Sequence, residues 1–368
     1  MRTRAGEAPV LVALLTALGN ILRVFRLGFQ CVWVEEAYAT AMSLRGVPDL
    51  IVASLTRDNN PPLYYLLGKA AMPLLGPTAL SLRAVSALAG IATIPLMYLA
   101  AKEAGGEDVG VFAAAMLAVS QFAIYYSQFA RAYALSLMFF TGGLWLYLRW
   151  RTSGARRNLA LAGLLLLLAV SSHYFSLVPV TVLAMDATLR SGLPRRGKAL
   201  LLVALPVPFL AGTVHLAMGY GPANLPAYGA TPYQLAVGGW IEFFGIAGWL
   251  FVPLVVTGLL GSFLVQRRDL AGLLMVTVVV TLLAGLGESV LIPFYPRYWI
   301  CLLPVVLIWL GDLAKLAFGA LEHLLGTGLP LWAKTLGVLG FFGGLQLGSI
   351  AEHFILQRYS YADCLPLQ

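Results

Sequence analysis

Two adjacent carboxylates follow the first apolar segment of the chain, in the hexapeptide WVEEAY at residues 33–38. A carboxylate at the edge of an apolar segment could act as a general base, and a pair of them could bind a divalent cation. Glu35 and Glu36 therefore have the right chemistry for catalysis. They could equally stabilise the first turn of a surface helix through the helix dipole, and on the pair alone this structural interpretation is favoured.

A second polar run, DNNPPLYY at residues 58–65, ends the same interhelical region. Asp58 or Asn60 could cap a helix whose first turn contains the two prolines. Capping accounts for the prolines. It does not account for a strongly polar run that leads directly into an apolar helix with paired tyrosines, so both side chains are candidates for binding substrate.

A third run, YSQFARAY at residues 126–133, places Arg131 between two apolar segments. An arginine at the edge of a membrane commonly extends its head group to lipid phosphates. The planar guanidinium could instead bind a substrate phosphate through two parallel hydrogen bonds. Tyr126 and Gln128 precede it and are candidates for the same site.

Two shorter motifs complete the set, SHYF at residues 172–175 and PFYPRY at 293–298. A lone histidine such as His173 is more often structural than catalytic, and Tyr174 is an expected interfacial residue. Arg297 precedes Tyr298 at a predicted helix start, where the positive end of the helix dipole gains nothing from a cation. An anionic ligand there would gain from both.

The composition predicts where these motifs lie. The 368 residues are 60% hydrophobic and only 11% charged, with a net charge of +8. Because so few charges could not cover a soluble protein of this size, the sequence excludes a cytosolic enzyme, a disordered chain and a nucleic-acid binder. We therefore expect an all-α protein that crosses a membrane many times. Its three cysteines have no metal-site spacing, although Cys31 and Cys364 could pair if they share a side.

About eleven apolar runs are long enough to cross a bilayer. The first is too long for a cleavable signal segment and is read as a retained anchor. A further run, Pro61–Leu75, is short, contains Lys69 and is interpreted as an interfacial or re-entrant helix. The predicted spans are Pro9–Leu27, Leu80–Ala101, Val109–Ile124, Tyr133–Leu148, Leu159–Ser171, Tyr174–Leu189, Ala199–Ala217, Phe244–Val265, Leu270–Leu286, Tyr298–Phe318 and Leu331–Ile350.

Short basic loops decide the orientation. The arginine-rich loops at 149–157, 190–198 and 267–268 fall on one side, predicted to be cytoplasmic together with the N-terminus. All five polar motifs then lie on the outer side. We expect one transmembrane domain over residues 1–350, whose first outer loop at 28–78 carries interfacial helices, and a short outer tail at 351–368. Ionisable groups at membrane depth are costly, which marks the outer set as functional.

In this order the motifs resemble those of polytopic GT-C glycosyltransferases, specifically family 39-like enzymes similar to dolichyl-phosphate-mannose–protein mannosyltransferases. The motifs WVEEAY, DNNPPLYY, YSQFARAY, SHYF and PFYPRY match family patterns between about Leu22 and Leu310. Three positions differ: Glu35 replaces an aspartate, Asn60 replaces a histidine and Phe129 replaces a glutamate. The resemblance implies a GT-C fold and a sugar donor carried on a polyprenyl phosphate.

The resemblance also implies site residues. Glu35 matches the catalytic acid and would be the base, and Glu36 would support it, or the pair would bind Mg²⁺ or Mn²⁺. Arg131 and Arg297 would hold the donor phosphate. The remaining substrate-binding candidates are Asp58, Asn60, Tyr126, Gln128, His173, Tyr174 and Tyr298.

The predicted function is thus transfer of a sugar, with inversion, to a glycan, lipid or protein acceptor at the outer face of a plasma membrane. A transporter of lipid-linked glycans could use the same cavity, but it would need polar residues that continue to the inner face, and the sequence has few. A catalytically inactive relative that acts as an assembly partner is the other alternative, consistent with Phe129.

Overall fold

The computed structural model describes residues 6–29, 31–58, 60–205, 207, 248–266, 268–289 and 295–351. Within these ranges the chain forms helices and short connections, without a β-strand, as the composition predicts. The predicted span at 199–217 lies largely outside the described residues, and so does the tail that follows residue 351.

Fifteen α-helices are numbered here in chain order, and two 3₁₀ helices are named by their residues. The α-helices are α1 (Glu7–Val24), α2 (Val34–Leu44), α3 (Val47–Arg57), α4 (Leu63–Leu75), α5 (Ala79–Gly105), α6 (Glu107–Ala118), α7 (Gln121–Ser127), α8 (Tyr133–Ser153), α9 (Arg156–Val170), α10 (Leu177–Arg190), α11 (Arg195–Ala204), α12 (Gly248–Val265), α13 (Arg268–Glu288), α14 (Leu303–Leu325) and α15 (Leu331–Ala351), and the 3₁₀ helices are Tyr174–Ser176 and Pro296–Leu302.

Four of the described segments are long and apolar enough to cross a membrane on their own: α1, α5, α13 and the continuous stretch Pro296–Leu325. A fifth follows if α6 and α7 are counted as one bent span. Such helices are suited to lipid because every backbone polar group outside their end turns is bonded within the helix. The chain is therefore a multi-pass membrane protein, and shorter helices pack among the long ones.

The interhelical region after α1 folds into α2, α3 and α4. With 13 residues, α4 is about 20 Å long, which is shorter than the hydrocarbon core of about 30 Å. Lys69 at its centre donates hydrogen bonds to the carbonyls of Ser43 and Arg45 at the end of α2, at 3.4 and 2.9 Å. A basic side chain thus ties α4 to the end of α2, and the interfacial position of α4 stays a prediction.

The predicted span Val109–Ile124 is not one straight helix. α6 ends at Ala118, and α7 leaves it at an angle of 58°. Arg23 of α1, which is fully buried, donates from Nη1 to the carbonyl of Ala118 at 3.0 Å and from Nη2 to that of Leu117 at 2.9 Å. The amide of Gln121 donates to Oε1 of Gln346 at 2.6 Å. Side chains from α1 and α15 thus satisfy backbone groups that the break would leave unpaired.

Gln128 completes the connection in the opposite direction. Its Nε2 donates to the carbonyls of Leu22, Arg23 and Phe25 at the end of α1, at 3.2, 3.2 and 2.8 Å. α1 therefore caps the end of α6, and the residue after α7 caps the end of α1. This reciprocal capping fixes the direction of the segment after α7, which contains Arg131.

Charged residues at the other end of the helices form a separate network. Asp186 of α10 and Asp269 of α13 accept from Arg190 at 2.9 and 3.2 Å. Arg151 of α8 lies 2.9 Å from Asp269, and the Tyr147 hydroxyl donates to Asp186. These residues lie near the end of α8 and α10, opposite the starts of those helices, where the polar motifs meet.

Candidate active site

Glu35, in the first turn of α2, forms an ion pair with Arg297 from the 3₁₀ helix before α14. Nη2 of the arginine lies 2.8 Å from Oε1 of the carboxylate. The side chain of Glu35 is 38% exposed and that of Arg297 is 21% exposed. The carboxylate is thus held by a partner from a distant part of the sequence and stays accessible to solvent.

Aromatic rings surround this ion pair. The Arg297 guanidinium lies 4.3 Å from the ring centre of Tyr295 and 5.9 Å from that of Tyr133. The His173 ring packs 5.3 Å from Tyr133 and 5.1 Å from Tyr298. Such rings form an apolar wall that keeps water from the guanidinium and favours cations over their faces.

His173 is buried, and its Nδ1 has no hydrogen-bond partner among the described residues. Burial lowers the pKa of His173 from 6.5 to about 3, with further lowering by the charges of Arg131 and Arg297. The imidazole is therefore neutral at physiological pH. It can form a hydrogen bond with a bound ligand but cannot supply a positive charge.

Arg131 lies between α7 and α8 and is a cation whose side chain is unpaired among the residues that the structure describes. Its guanidinium has no hydrogen bond or ion pair within the described ranges, whereas its carbonyl accepts from Ser86 Oγ of α5 at 3.2 Å. Burial, which lowers the pKa of Arg131, is outweighed by Tyr133, Tyr65, Glu35 and Asp58, so that its pKa is raised. The guanidinium is therefore charged and available to an anionic ligand.

Asp58 lies on another side of Arg131. Its Oδ2 accepts from the hydroxyl of Tyr65 at 2.6 Å, and its Oδ1 accepts from Nδ2 of Asn60 at 3.3 Å. Asp58 also contributes, after burial, to raising the pKa of the half-exposed Tyr38 and Tyr174. The acid is thus oriented by the motif that contains it and faces tyrosines at the mouth of the site.

Glu36 also pairs with an arginine, but its burial and its number of hydrogen-bond donors differ from those of Glu35. It is fully buried and accepts from Nε and Nη2 of Arg83 in α5, at 2.9 and 2.6 Å. The amides of Trp33 and Ala130 donate to it at 3.1 and 2.8 Å. A carboxylate offers about four lone-pair sites, and four donors occupy them.

The predicted cation site at Glu35 and Glu36 does not fit this arrangement. Both carboxylates are paired with arginines, at 2.8 and 2.6 Å. Among the described residues no group of three or more His, Cys, Asp and Glu side chains could hold a metal ion. No chemical step is therefore assigned here to a metal.

The structure brings six of the predicted site residues to one region: Glu35, Asp58, Arg131, His173, Arg297 and Tyr298. Tyr174 stands at its edge and is 36% exposed. Gln128 points away to α1, and the ring of Tyr126 packs against Phe122 at 4.8 Å and Tyr133 at 4.9 Å. Asn60 is buried, and its side chain contacts the site through Asp58.

Sequence reasoning assigned no role to Arg23, Arg83 or Tyr133. The two arginines each interrupt an apolar run, and a charge inside a membrane segment signals a fixed partner. That signal could have found both residues, although not their partners, which are 94 and 47 positions away.

Comparison with known proteins identifies similar folds. A family model described as dolichyl-phosphate-mannose-protein mannosyltransferase matches residues 59–218. No curated protein is similar enough in sequence to match. ArnT from Cupriavidus metallidurans, in the apo state, has a TM-score of 0.58 at 15% identity, covering 97% of this chain and 66% of ArnT.

The same protein bound to undecaprenyl phosphate also has a TM-score of 0.58, at 14% identity, with 98% of this chain and 74% of ArnT covered. The oligosaccharyltransferase AglB from Archaeoglobus fulgidus, in complex with an inhibitory peptide and a dolichol-phosphate, has a TM-score of 0.55 at 15% identity, with 98% of this chain and 56% of AglB covered. The chain thus spans about two thirds of ArnT and just over half of AglB. At such identities the likeness establishes the fold.

The expected resemblance is confirmed at that level: the chain is an all-α membrane protein with the GT-C fold shared by ArnT-like glycosyltransferases. A fold by itself does not define an activity.

Proposed function

We propose that this chain is a glycosyltransferase that moves a sugar from a polyprenyl-phosphate donor to an acceptor hydroxyl. One observation carries the proposal: an accessible carboxylate, Glu35, lies 2.8 Å from Arg297, and Arg131, which has no side-chain partner among the described residues, interacts electrostatically with the same carboxylate. A base and two phosphate-binding cations are the groups that such a transfer needs. The acceptor class, whether glycan, lipid or protein, stays open.

The donor phosphate would bind between Arg131 and Arg297. Arginine matches phosphate oxygens with paired donors, and the aromatic wall excludes water that would weaken the interaction. The solved structures of ArnT and AglB named above contain undecaprenyl phosphate and dolichol-phosphate, which supports a lipid-phosphate ligand for this fold. His173 would contribute a neutral hydrogen-bonding nitrogen beside that phosphate.

Glu35 would take the proton of the acceptor hydroxyl as its oxygen attacks the anomeric carbon. The bond between that carbon and the phosphate oxygen breaks at the same time, and the polyprenyl phosphate leaves with the bonding electrons. Because this leaving group is already a stable anion, it needs cations rather than an acid. Attack opposite to the leaving phosphate inverts the anomeric configuration.

The reaction would take place at the outer face of a plasma membrane. The positive-inside rule supports this side, since the arginine-rich network of α8 and α10 lies at the opposite end. Cys31 in the first loop is disulfide-bonded and Cys301 is a buried free thiol, while Cys364 lies outside the described residues. Disulfides persist on the oxidising side of a membrane.

Purified protein in liposomes that contain a labelled polyprenyl-phosphate sugar, with an acceptor mixture from cell envelopes, would test the proposal. The wild type should release polyprenyl phosphate and label an acceptor, and Glu35→Gln should lower that rate about 10²-fold or more. Glu103→Gln, which removes an acid paired with Arg149 elsewhere, is the matched control and should keep the wild-type rate. Donor binding without transfer by the wild type would contradict the proposal and favour an inactive relative.

A further inference from the structure

We propose that Glu36 is a positioning residue, which fixes the separation between Glu35 and Arg131 and takes no part in proton transfer. Its role in catalysis rests on the proposed function, but its role in geometry does not. The inference makes specific the expectation that Glu36 supports Glu35, and it replaces the alternative in which the pair binds a metal.

The carboxylate of Glu36 joins three separate elements. Its own residue belongs to α2, Arg83 belongs to α5, and the amide of Ala130 belongs to the segment between α7 and α8. The Trp33 amide at the start of α2 adds a fourth donor and closes the first turn. One buried group therefore connects the first loop, the longest helix and the third polar motif.

Two of these connections involve a residue that is adjacent in sequence to a residue with a proposed chemical role. Glu35 precedes Glu36, and Ala130 precedes Arg131. Consecutive helical residues point about 100° apart, so burying Glu36 turns Glu35 away from the core and toward Arg297. Anchoring the Ala130 amide places the next residue at a fixed distance from that same carboxylate.

Arg83 makes this anchor rigid. Its Nη1 donates to the carbonyl of Leu27 at 3.2 Å, and its Nη2 also donates to that of Cys31 at 2.9 Å. The guanidinium is thus bonded on all sides and is almost fully buried. A second tether runs in parallel, because Ser86 in the next turn of α5 donates to the carbonyl of Arg131 and shares a hydrogen bond with Tyr64 at 2.8 Å.

A buried pair of this kind has a property that a catalytic acid lacks. Removing one partner leaves an uncompensated charge in the interior, whereas removing both charges is far less damaging. A positioning role therefore predicts strong coupling between substitutions at Glu36 and Arg83. If Glu36 transferred a proton instead, replacing it would lower the rate by the same factor whether or not Arg83 is present.

The experiment compares Glu36→Gln, Arg83→Gln and the double variant for transfer rate, for polyprenyl phosphate binding and for thermal stability. Each single variant should lose about 10²-fold in rate, with weaker phosphate binding and lower stability. The double variant should recover at least tenfold of the rate and part of the binding. Glu103→Gln with Arg149→Gln, a pair 4.0 Å apart and partly exposed, should show no coupling.

The pH dependence separates positioning from proton transfer. The limb of the rate profile that reports the base should keep its position in Glu36→Gln and vanish in Glu35→Gln. A missing limb in Glu36→Gln, or a double variant no better than the single one, would overturn the inference. If the glutamine variants do not fold, Glu36→Asp and Arg83→Lys take their place, because they keep the charges. The ranking of these variants by polyprenyl phosphate binding and by thermal stability should match the ranking expected for the glutamine variants.

Failure of the proposed function would look different. A wild type without transfer activity leaves the binding of polyprenyl phosphate and the thermal stability measurable. Coupled losses in these two quantities would then uphold the positioning role, while additive losses would overturn it.

Discussion

Arg297 and Glu35, 262 positions apart in the sequence, are bonded through Nη2 and Oε1 at 2.8 Å. The pair connects α2 in the first loop to the 3₁₀ helix that begins the Pro296–Leu325 stretch. An anion that binds Arg297 competes with Glu35 for the same guanidinium. In the proposed reaction, arrival of the donor phosphate therefore frees the carboxylate to accept a proton, which links donor binding to activation of the base.

Arg131→Ala should weaken the binding of polyprenyl phosphate about tenfold or more while the acceptor KM changes little. The reason is that Arg131 has an unpaired guanidinium in the described part of the site and no bond that holds the fold through its side chain. Binding is measured on detergent-purified protein with the lipid alone. Arg149→Ala, an exposed arginine at the other end of α8, is the control. If the substitution changed donor binding and the acceptor KM by equal factors, Arg131 would not belong to the phosphate site.

His173→Phe should leave the pH profile of the transfer rate unchanged in position. With a pKa of about 3, His173 does not change charge between pH 5 and 8 in the folded protein. The control is His323→Phe, a substitution at an exposed histidine outside the site, and the two rates are compared. A limb near pH 6.5 that disappears in His173→Phe alone would show that the imidazole titrates during the reaction.

The same histidine should make the folded protein less stable in acid. The unfolded chain binds a proton near pH 6.5, but the folded chain does so only near pH 3, so stability falls as the pH drops through this interval. Between pH 7 and 5 the loss due to His173 is about 2 kcal/mol. Thermal unfolding in detergent at both pH values measures it, and His173→Phe should lose less stability on acidification than the wild type.

Much of the fold is predictable from sequence because lipid imposes simple rules. Long apolar runs give α1, α5 and α13, and polar motifs beside aromatic residues locate the ends where the site forms. The bend between α6 and α7 is different. Val119 and Ser120 contain no proline or glycine, but Ser120 caps the start of α7 by accepting from the amide of Ala123 at 3.4 Å, a signal that the sequence offers. The side chains of Arg23 and Gln346, which bond to the break from distant helices, are not apparent from the sequence.

The different partners and burial of Glu35 and Glu36 are likewise beyond the sequence. Two identical neighbouring residues differ only in the direction in which α2 presents them, and this direction depends on how α2 packs against α5. The motif resemblance identified the pair. The partners Arg297 and Arg83 distinguish its members.

Arg23→Met should lower both thermal stability and polyprenyl phosphate binding. Without the guanidinium, the carbonyl of Ala118 loses its hydrogen bond in the interior, at a cost of about 1–3 kcal/mol, and the carbonyl of Leu117 keeps only the amide of Ser120 at 3.3 Å. The bend that directs α7 toward the site would then relax. Arg26→Met, two positions beyond the end of α1 and exposed, is the matched control. Normal binding by an Arg23→Met protein of reduced stability would show that the bend does not position the site.

Asp186→Asn should reduce thermal stability and leave transfer within about twofold of the wild type. The carboxylate serves Arg190, Arg151 and Tyr147 at the end of the helices opposite the site. Breaking such a network costs stability because its arginines lose a partner. A large loss of transfer in a stable Asp186→Asn protein would indicate that the two ends are coupled.

The different positions of Glu35 and Glu36 in α2, one accessible and the other buried, have a practical use. Since the buried anchor and the accessible carboxylate are consecutive residues, the reactive group can be altered while the scaffold beneath it stays intact. A Glu35→Gln protein should therefore hold donor and acceptor together without consuming them. That arrested complex would be a suitable specimen for cryo-electron microscopy, in which the identity of the bound sugar could be read directly from the density.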